Sequence, residues 1–233
     1  MLFKDKIPSR LHGELSGAHE GPVRAVSFNK DGHYCLTCGA DKMVALWNPH
    51  KLKLIKKYSG HTQEVLGAAA SHDNATLISC GIDKLVLLTD VSTGKPLRKF
   101  RGHEHRVNCV LFNSDSSIAI SGSYDKTVRI WDCRSKAIDP IQVLDEATDS
   151  VSSIDITDHE ILTSSIDGTI RCYDIRAGEL SLFNINHPVP HAKHSHDRHC
   201  ILAAALDSNI RLLDKTNGDT LCVYKGEIEC IVG

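Results

Sequence analysis

Ser121-Gly122-Ser123-Tyr124-Asp125-Lys126-Thr127-Val128-Arg129-Ile130-Trp131-Asp132 is the stretch on which the fold turns. A polar turn, Tyr124-Asp125-Lys126, sits between two short runs of strand-forming residues, so the stretch reads as a β-hairpin. Outward from it, Val107 to Phe112 reads as a first strand and Ile118 to Ser121 as a second, with the turn Asn113-Ser114-Asp115 between them. Thr127 to Trp131 is the third strand, and Ile141 to Leu144 the fourth, after a polar link that contains Asp139-Pro140.

The hairpin recurs. Asp41, Asp83, Asp125 and Asp167 fall at intervals of 42 residues, and Asp207 follows after 40. Each is followed by a second mark: Trp47-Asn48, Thr89-Asp90, Trp131-Asp132, Tyr173-Asp174 and Leu213-Asp214. Upstream, Ala18-His19, Gly60-His61 and Gly102-His103 repeat at the same interval of 42. Four strands in one such period make a blade of a β-propeller, an all-β architecture. The units run over about 17–58, 59–100, 101–144, 145–184 and 185–226, flanked by an N-terminal segment or closing strand (1–16) and a divergent tail (227–233).

The residue types have a physical reason. A blade's hairpin turn and its leading loop must be tied together, and a buried His donating to the turn Asp does this, provided that a strand hydroxyl and a Trp N–H complete the network. The first unit supplies His19, Thr37, Asp41 and Trp47, and the third His103, Ser121, Asp125 and Trp131. The second has His61, Ser79 and Asp83 but Thr89 in place of Trp, and the fourth keeps Thr163, Asp167 and Tyr173 with Ala147 at the His position. Units two and four are expected to be less rigid.

Gly-His, the turn Asp and Trp-Asp at this spacing resemble the WD40-repeat family. Longer strings, among them Tyr34-Cys35-Leu36-Thr37-Cys38-Gly39, Arg98-Lys99-Phe100-Arg101-Gly102-His103 and Asp158-His159-Glu160-Ile161-Leu162, are similar to the mitogen-activated protein kinase organizer 1 family, also called WD repeat-containing protein 83. That resemblance implies a seven-bladed propeller, a scaffold role for kinase-cascade components in the cytoplasm, and association with the spliceosome and pre-mRNA splicing in the nucleus. The chain departs from the pattern after Tyr224-Lys225-Gly226, where His and further blades are expected, so the propeller is read as incomplete: either an open arc or a strained five-blade ring. The fifth unit also begins with His187-Pro188-Val189-Pro190-His191 and three more histidines, His194, His196 and His199. Two prolines there predict a frayed inner strand, with zinc binding by the histidines as the alternative.

Other classes find little support. With 27 basic and 29 acidic residues, a net charge of -2 and only 5% aromatics, neither a phosphate-binding stripe nor base-stacking platforms are expected, which disfavours an RNA-contacting ribonucleoprotein subunit. No apolar stretch is long enough to cross a bilayer, so a soluble, intracellular protein without membrane partners is expected. His, Ser and Asp repeat unit after unit, which argues for structure rather than a catalytic triad, and no nucleophile elbow or phosphate-binding loop is present, so no enzyme, cofactor or metal is expected. Cys35 and Cys38, three apart on a strand, should face opposite ways and share neither a disulfide nor an ion. The function read from the sequence is a non-enzymatic protein scaffold, or a shortened competitor of a longer one. Its candidate partner contacts are Glu64, Arg106 and Ser150 ahead of the inner strands, and Tyr124 before a turn Asp.

Overall fold

Each repeat folds into its own four-stranded antiparallel sheet, with strands in sequential order. The computed structural model describes residues 11–225; residues 1–10 of the expected closing strand and the whole divergent tail lie outside that range. The first blade consists of β1 (Val23–Phe28), β2 (Cys35–Gly39), β3 (Val44–Asn48) and β4 (Lys53–Tyr58). The second has β5 (Val65–Ala70), β6 (Thr76–Gly81), β7 (Val86–Asp90) and β8 (Pro96–Phe100). The third has β9 (Val107–Phe112), β10 (Ile118–Ser123), β11 (Val128–Asp132) and β12 (Gln142–Leu144). The fourth has β13 (Val151–Ile156), β14 (Glu160–Ser165), β15 (Thr169–Asp174) and β16 (Glu179–Asn184). The fifth has β17 (His191–His194), β18 (Cys200–Ala204), β19 (Asn209–Asp214) and β20 (Thr220–Lys225). No helix among the described residues is long and apolar enough to cross a membrane.

Four boundaries in the third blade differ from the sequence reading; β11 ends one residue later, at Asp132, and β12 starts one residue later, at Gln142. β10 runs on to Ser123, because Gly122 and Ser123 still pair with β9 across a bulge. β11 starts at Val128 rather than Thr127, because the Thr127 N–H and hydroxyl are both donated to the Asp125 carboxylate, at 3.0 and 2.6 Å. The frayed inner strand expected in the fifth blade is overturned. β17 pairs with β18 from His191 to His194, starting directly after Pro190, so both prolines stay outside the ladder. The fourth blade holds it in place: the Ala192 N–H donates to Ser153 Oγ at 3.0 Å, and the His194 N–H to Asp155 at 2.9 Å.

The core lies between blades, so every sheet needs a neighbour on both faces. Leu36, Val44 and Tyr58 pack with Val65 and Leu77 between the first two blades. Trp131 and Val107 of the third pack with Ile78 and Phe100 of the second, and Leu162 and Phe183 of the fourth with Ala192 and Ile201 of the fifth. Cys38 faces this packing, while Cys35 is on the other face in a cluster with Ala18 and Trp47, against which Leu15 of the leading segment packs. The described cysteines are all free thiols.

Repeat positions that are buried inside the stack emerge at its ends. Val26 is 63% exposed, whereas Ala68, Val110 and Ile154, which hold the same ladder position in the next three blades, are buried. At the other end Leu202 is 42% exposed, while its counterparts Leu36, Ile78, Ile120 and Leu162 are at most 2% exposed. Inner strands pack in series, β1 on β5, β5 on β9, β9 on β13 and β13 on β17. The sheets form an open arc, and of the two architectures expected the strained five-blade ring is the one overturned.

This arrangement separates two chemically identical substitutions. Val110→Lys buries a charge without a partner and should cost about 3–5 kcal/mol in a urea melt. Val26→Lys, at the equivalent position of the open end, should stay within about 0.5 kcal/mol of the parent. Equal losses would mean that the first blade's outer face is covered in solution.

Candidate partner-docking rim

One end of every sheet is shaped by the turn aspartate. Asp41, Asp83 and Asp125 accept the backbone N–H two residues on, from Met43, Leu85 and Thr127. This closes a turn whose middle residue, Lys42, Lys84 or Lys126, has φ between 65° and 72°. Gly168 and Ser208 occupy the same left-handed position in the last two blades. The left-handed region is unfavourable for a residue with a side chain, so the carboxylate bond must hold the turn closed.

Behind the turn, in the first three blades, lies a directional chain of hydrogen bonds. His103 donates through Nδ1 to Asp125 at 2.8 Å, its Nε2 is 2.8 Å from Ser121 Oγ, and Trp131 Nε1 donates to the same hydroxyl at 2.8 Å. With Nδ1–H committed to the carboxylate, Nε2 accepts the hydroxyl proton, and the hydroxyl oxygen accepts the indole. In the first blade His19 reaches Asp41 at 2.9 Å and Thr37 at 2.8 Å, and Trp47 donates to Thr37 at 2.8 Å. The second blade keeps His61–Asp83 at 2.9 Å and His61–Ser79 at 2.9 Å, with the buried Thr89 in place of the indole. Burial alone would raise the Asp125 carboxyl, yet the His103 and Thr127 hydrogen bonds and the Glu104 N–H outweigh it and hold it below the usual range. Ser79 and Ser121 are 2% and 0% exposed, so no substrate can reach these Ser-His-Asp sets.

The fourth blade solves the same problem differently, and here the weakened tie expected from Ala147 is corrected. Arg171 Nη2 donates to Asp167 at 2.9 Å and Nη1 at 3.3 Å, both side chains being buried. The guanidinium, four residues after the Asp on the returning strand, replaces the missing imidazole. Thr163 is buried but its hydroxyl takes no part, and Tyr173 turns away to donate to Glu146 at 2.9 Å. Arg211 grips Asp207 in the same way in the fifth blade. Sequence reasoning missed both arginines; the signal was an Arg four places after the Asp where the upstream imidazole is replaced, as by Ala147, or stands off, as His187 does at 3.9 Å from Asp207.

These ties fix what stands on the rim. The N–H of the residue before each Asp donates to the carbonyl just ahead of the inner strand: Ile82 to Glu64 at 2.9 Å, Tyr124 to Arg106 at 3.0 Å, Ile166 to Ser150 at 3.0 Å. Beside this bond the inner strand pair is bulged, which re-aims the flanking side chains. Arg106 therefore lies over the Tyr124 ring, 4.8 Å from its centroid, with His105 meeting the same ring edge-on at 5.8 Å. The three line an open cleft of about 410 Å³ with Gln63, Ile82 and Lys84. Glu64 stands beside the cleft but is engaged by Arg24 of the first blade at 3.0 Å. Ser150 is corrected as a partner contact: it is buried, and its Oγ accepts from Asn108 at 3.0 Å.

Comparison with known proteins agrees with this anatomy. The family described as WD domain, G-beta repeat matches residues 10–48, 52–90, 94–132 and 138–174. WD repeat domain-containing protein 83 of Rattus norvegicus is 61% identical over 207 residues, 89% of this chain and 66% of its own length. The Homo sapiens protein of that name is 58% identical over the same shares. The Danio rerio protein is 52% identical over 96% of this chain and 70% of its own. The chain thus spans slightly less than two thirds of the length of its mammalian relatives.

The Asp167–Arg171 tie should be visible in acid. Burial raises the Asp167 carboxyl, but the Arg171 hydrogen bonds and the Thr148 and Thr169 amides more than offset this and bring it down to about 2. An unfolded aspartate titrates near ~3.9. The stabilisation is thus complete above about pH 4 and is lost as pH falls toward 2. Arg171→Met leaves the buried carboxylate unpaired and should cost about 3–5 kcal/mol at neutral pH. It should also move the acid transition, followed by circular dichroism, to higher pH; an unmoved transition would remove the tie from the stability account.

Proposed function

The chain belongs to the WD40-repeat family, within the group of WD repeat domain-containing protein 83, and from that premise we propose that it is a non-enzymatic scaffold holding protein partners on the rim around Arg106 and Tyr124. The observation that carries the reading is the stacked Arg106–Tyr124 pair in an open cleft. Arg and Tyr dominate binding energy at protein interfaces when a fixed support lets their planar faces be buried at little entropic cost. Here the support is the backbone bond between the two residues and the buried tie beneath it. Lys84 at the cleft edge favours a partner segment that carries carboxylates.

Kinase-cascade components and spliceosomal proteins are the partners we infer, with residence in cytoplasm and nucleus; the support for them is the sequence resemblance. Both kinds of assembly require a rigid body that contacts several chains at once, which an arc of blades provides without catalysis.

Affinity purification of the chain from cell extract, beside an Arg106→Ala/Tyr124→Ala double variant, tests the reading. Both side chains are surface groups, so melting temperature should be unchanged. Partner affinity should fall at least about tenfold, since a hot-spot truncation removes about 2 kcal/mol. Equal recovery with both proteins would place the partner surface elsewhere, and RNA crosslinking to the purified chain would favour a ribonucleoprotein contact.

A further inference from the structure

Only one of the histidines in the His-rich segment turns inward. His191, His196 and His199 are exposed, so that cluster does not converge on an ion. The His194 side chain, by contrast, is 3% exposed, at the end of β17 where the fifth blade meets the fourth. Its Nδ1 donates to Asp155 of β13 at 2.9 Å. That bond fixes the ring and directs Nε2 into the interface, where it has no hydrogen-bond partner among the described residues. The groups facing it are Glu160 at the head of β14 and the buried Cys172 of β15.

We propose that Glu160, Cys172 and His194 form a zinc-type divalent metal site that pins the fifth blade to the fourth. One ligand atom from each lies within 4.8 Å of the other two. Tetrahedral zinc, with bonds of about 2.0–2.3 Å, needs ligand atoms about 3.5 Å apart; Glu160 and His194 already stand 3.6 Å apart, and Cys172 has to close by at most about 1.3 Å, within reach of small side-chain rotations. A thiolate, an imidazole and a carboxylate select zinc or cobalt over magnesium or calcium. Three protein ligands leave a fourth position for water. Asp155 completes the carboxylate–histidine–metal relay that orients metal-bound imidazoles, and it presents the correct nitrogen.

One group opposes the ion. Lys215 of the fifth blade places its Nζ 2.5 Å from one Glu160 oxygen and 2.6 Å from the other. The ammonium balances the carboxylate and must withdraw when a divalent cation enters. Glu160 is 3.6 Å from His194 Nε2, beyond a hydrogen bond, so the competing account is the Lys215–Glu160 ion pair standing in the seam without a metal.

The test is titration of the chelator-treated chain with cobalt(II), read by absorption, and with zinc, read by calorimetry and thermal melting. The wild type should bind one equivalent, gain a thiolate-to-cobalt charge-transfer band and melt at higher temperature with zinc. Cys172→Ser should lose the band. His194→Asn, which keeps a donor for Asp155 but has no atom at Nε2, should lose binding. Asp155→Asn should weaken binding about 10–100-fold. Lys215→Ala should tighten it, a gain that a merely misfolded variant cannot mimic. The proposal is overturned if wild type gives no charge-transfer band, if the band survives Cys172→Ser, or if Lys215→Ala leaves affinity unchanged.

Discussion

A carboxylate buried where two strands reverse has to be satisfied, and in this protein nearly everything else follows from how that is done. The turn aspartate bends its own loop into a left-handed step and accepts the N–H of the leading loop, from Thr62, Glu104 or Thr148. It is completed by an imidazole or a guanidinium from within the same blade. Unpaired, such a group would cost more than the turn is worth. Paired, it locks the loop ahead of the inner strand to the turn beside it, and the surface residues on those two loops become neighbours in a fixed geometry. The rim around Arg106 and Tyr124 is the visible face of a buried electrostatic requirement.

The second constraint is that each sheet is apolar on both faces. A blade cannot bury itself; it is completed by the blade on either side, as Trp131 is by Phe100, 5.3 Å away between centroids. Stability is therefore passed along the stack from interface to interface, in the manner of repeat proteins. Among the described residues, the first and fifth blades each have one face without a blade against it, which is why the same ladder position is buried in the middle of the arc and exposed at its ends. On the first blade Ala18 clusters with Trp47 on that face, and Leu15 packs against the cluster.

What was legible in the sequence was whatever is repeated at fixed spacing. His103, Ser121, Asp125 and Trp131 could be read as one network because they recur in register within a unit, and a hydrogen-bond chain closed inside one sheet has a fixed separation along the chain. Substitutions by a different chemistry were harder. Arg171 does the work of a histidine from the opposite side of the turn, and no position-by-position comparison of units looks for it there. Contacts between blades were not legible at all. Ser150 reads as a surface residue because it precedes a strand, yet Asn108 of the neighbouring blade reaches over and buries it. The His-rich segment reads as a poor strand because two prolines lie in it, yet Asp155, Ser153 and Ser152 of the fourth blade donate or accept along its backbone from Val189 to His194.

The fifth blade shows how the two constraints meet. Its inner strand has four residues and little intrinsic tendency to extend, so the sheet cannot rely on its own ladder. It relies instead on polar groups supplied across the interface, where Asp155 accepts both the backbone and the ring of His194. An interface built this way carries largely buried charge on Asp155 and Glu160, whereas the ion pair between the first two blades, Arg24–Glu64, lies at the surface, and charge in a dry seam must be balanced locally. Lys215 balances Glu160, and Asp155 is satisfied by the backbone and ring N–H groups of His194. Unlike packed side chains, such a balance responds to whatever cation is present, so the seam between the fourth and fifth blades is the part of the arc whose strength is set by solution chemistry as well as by shape.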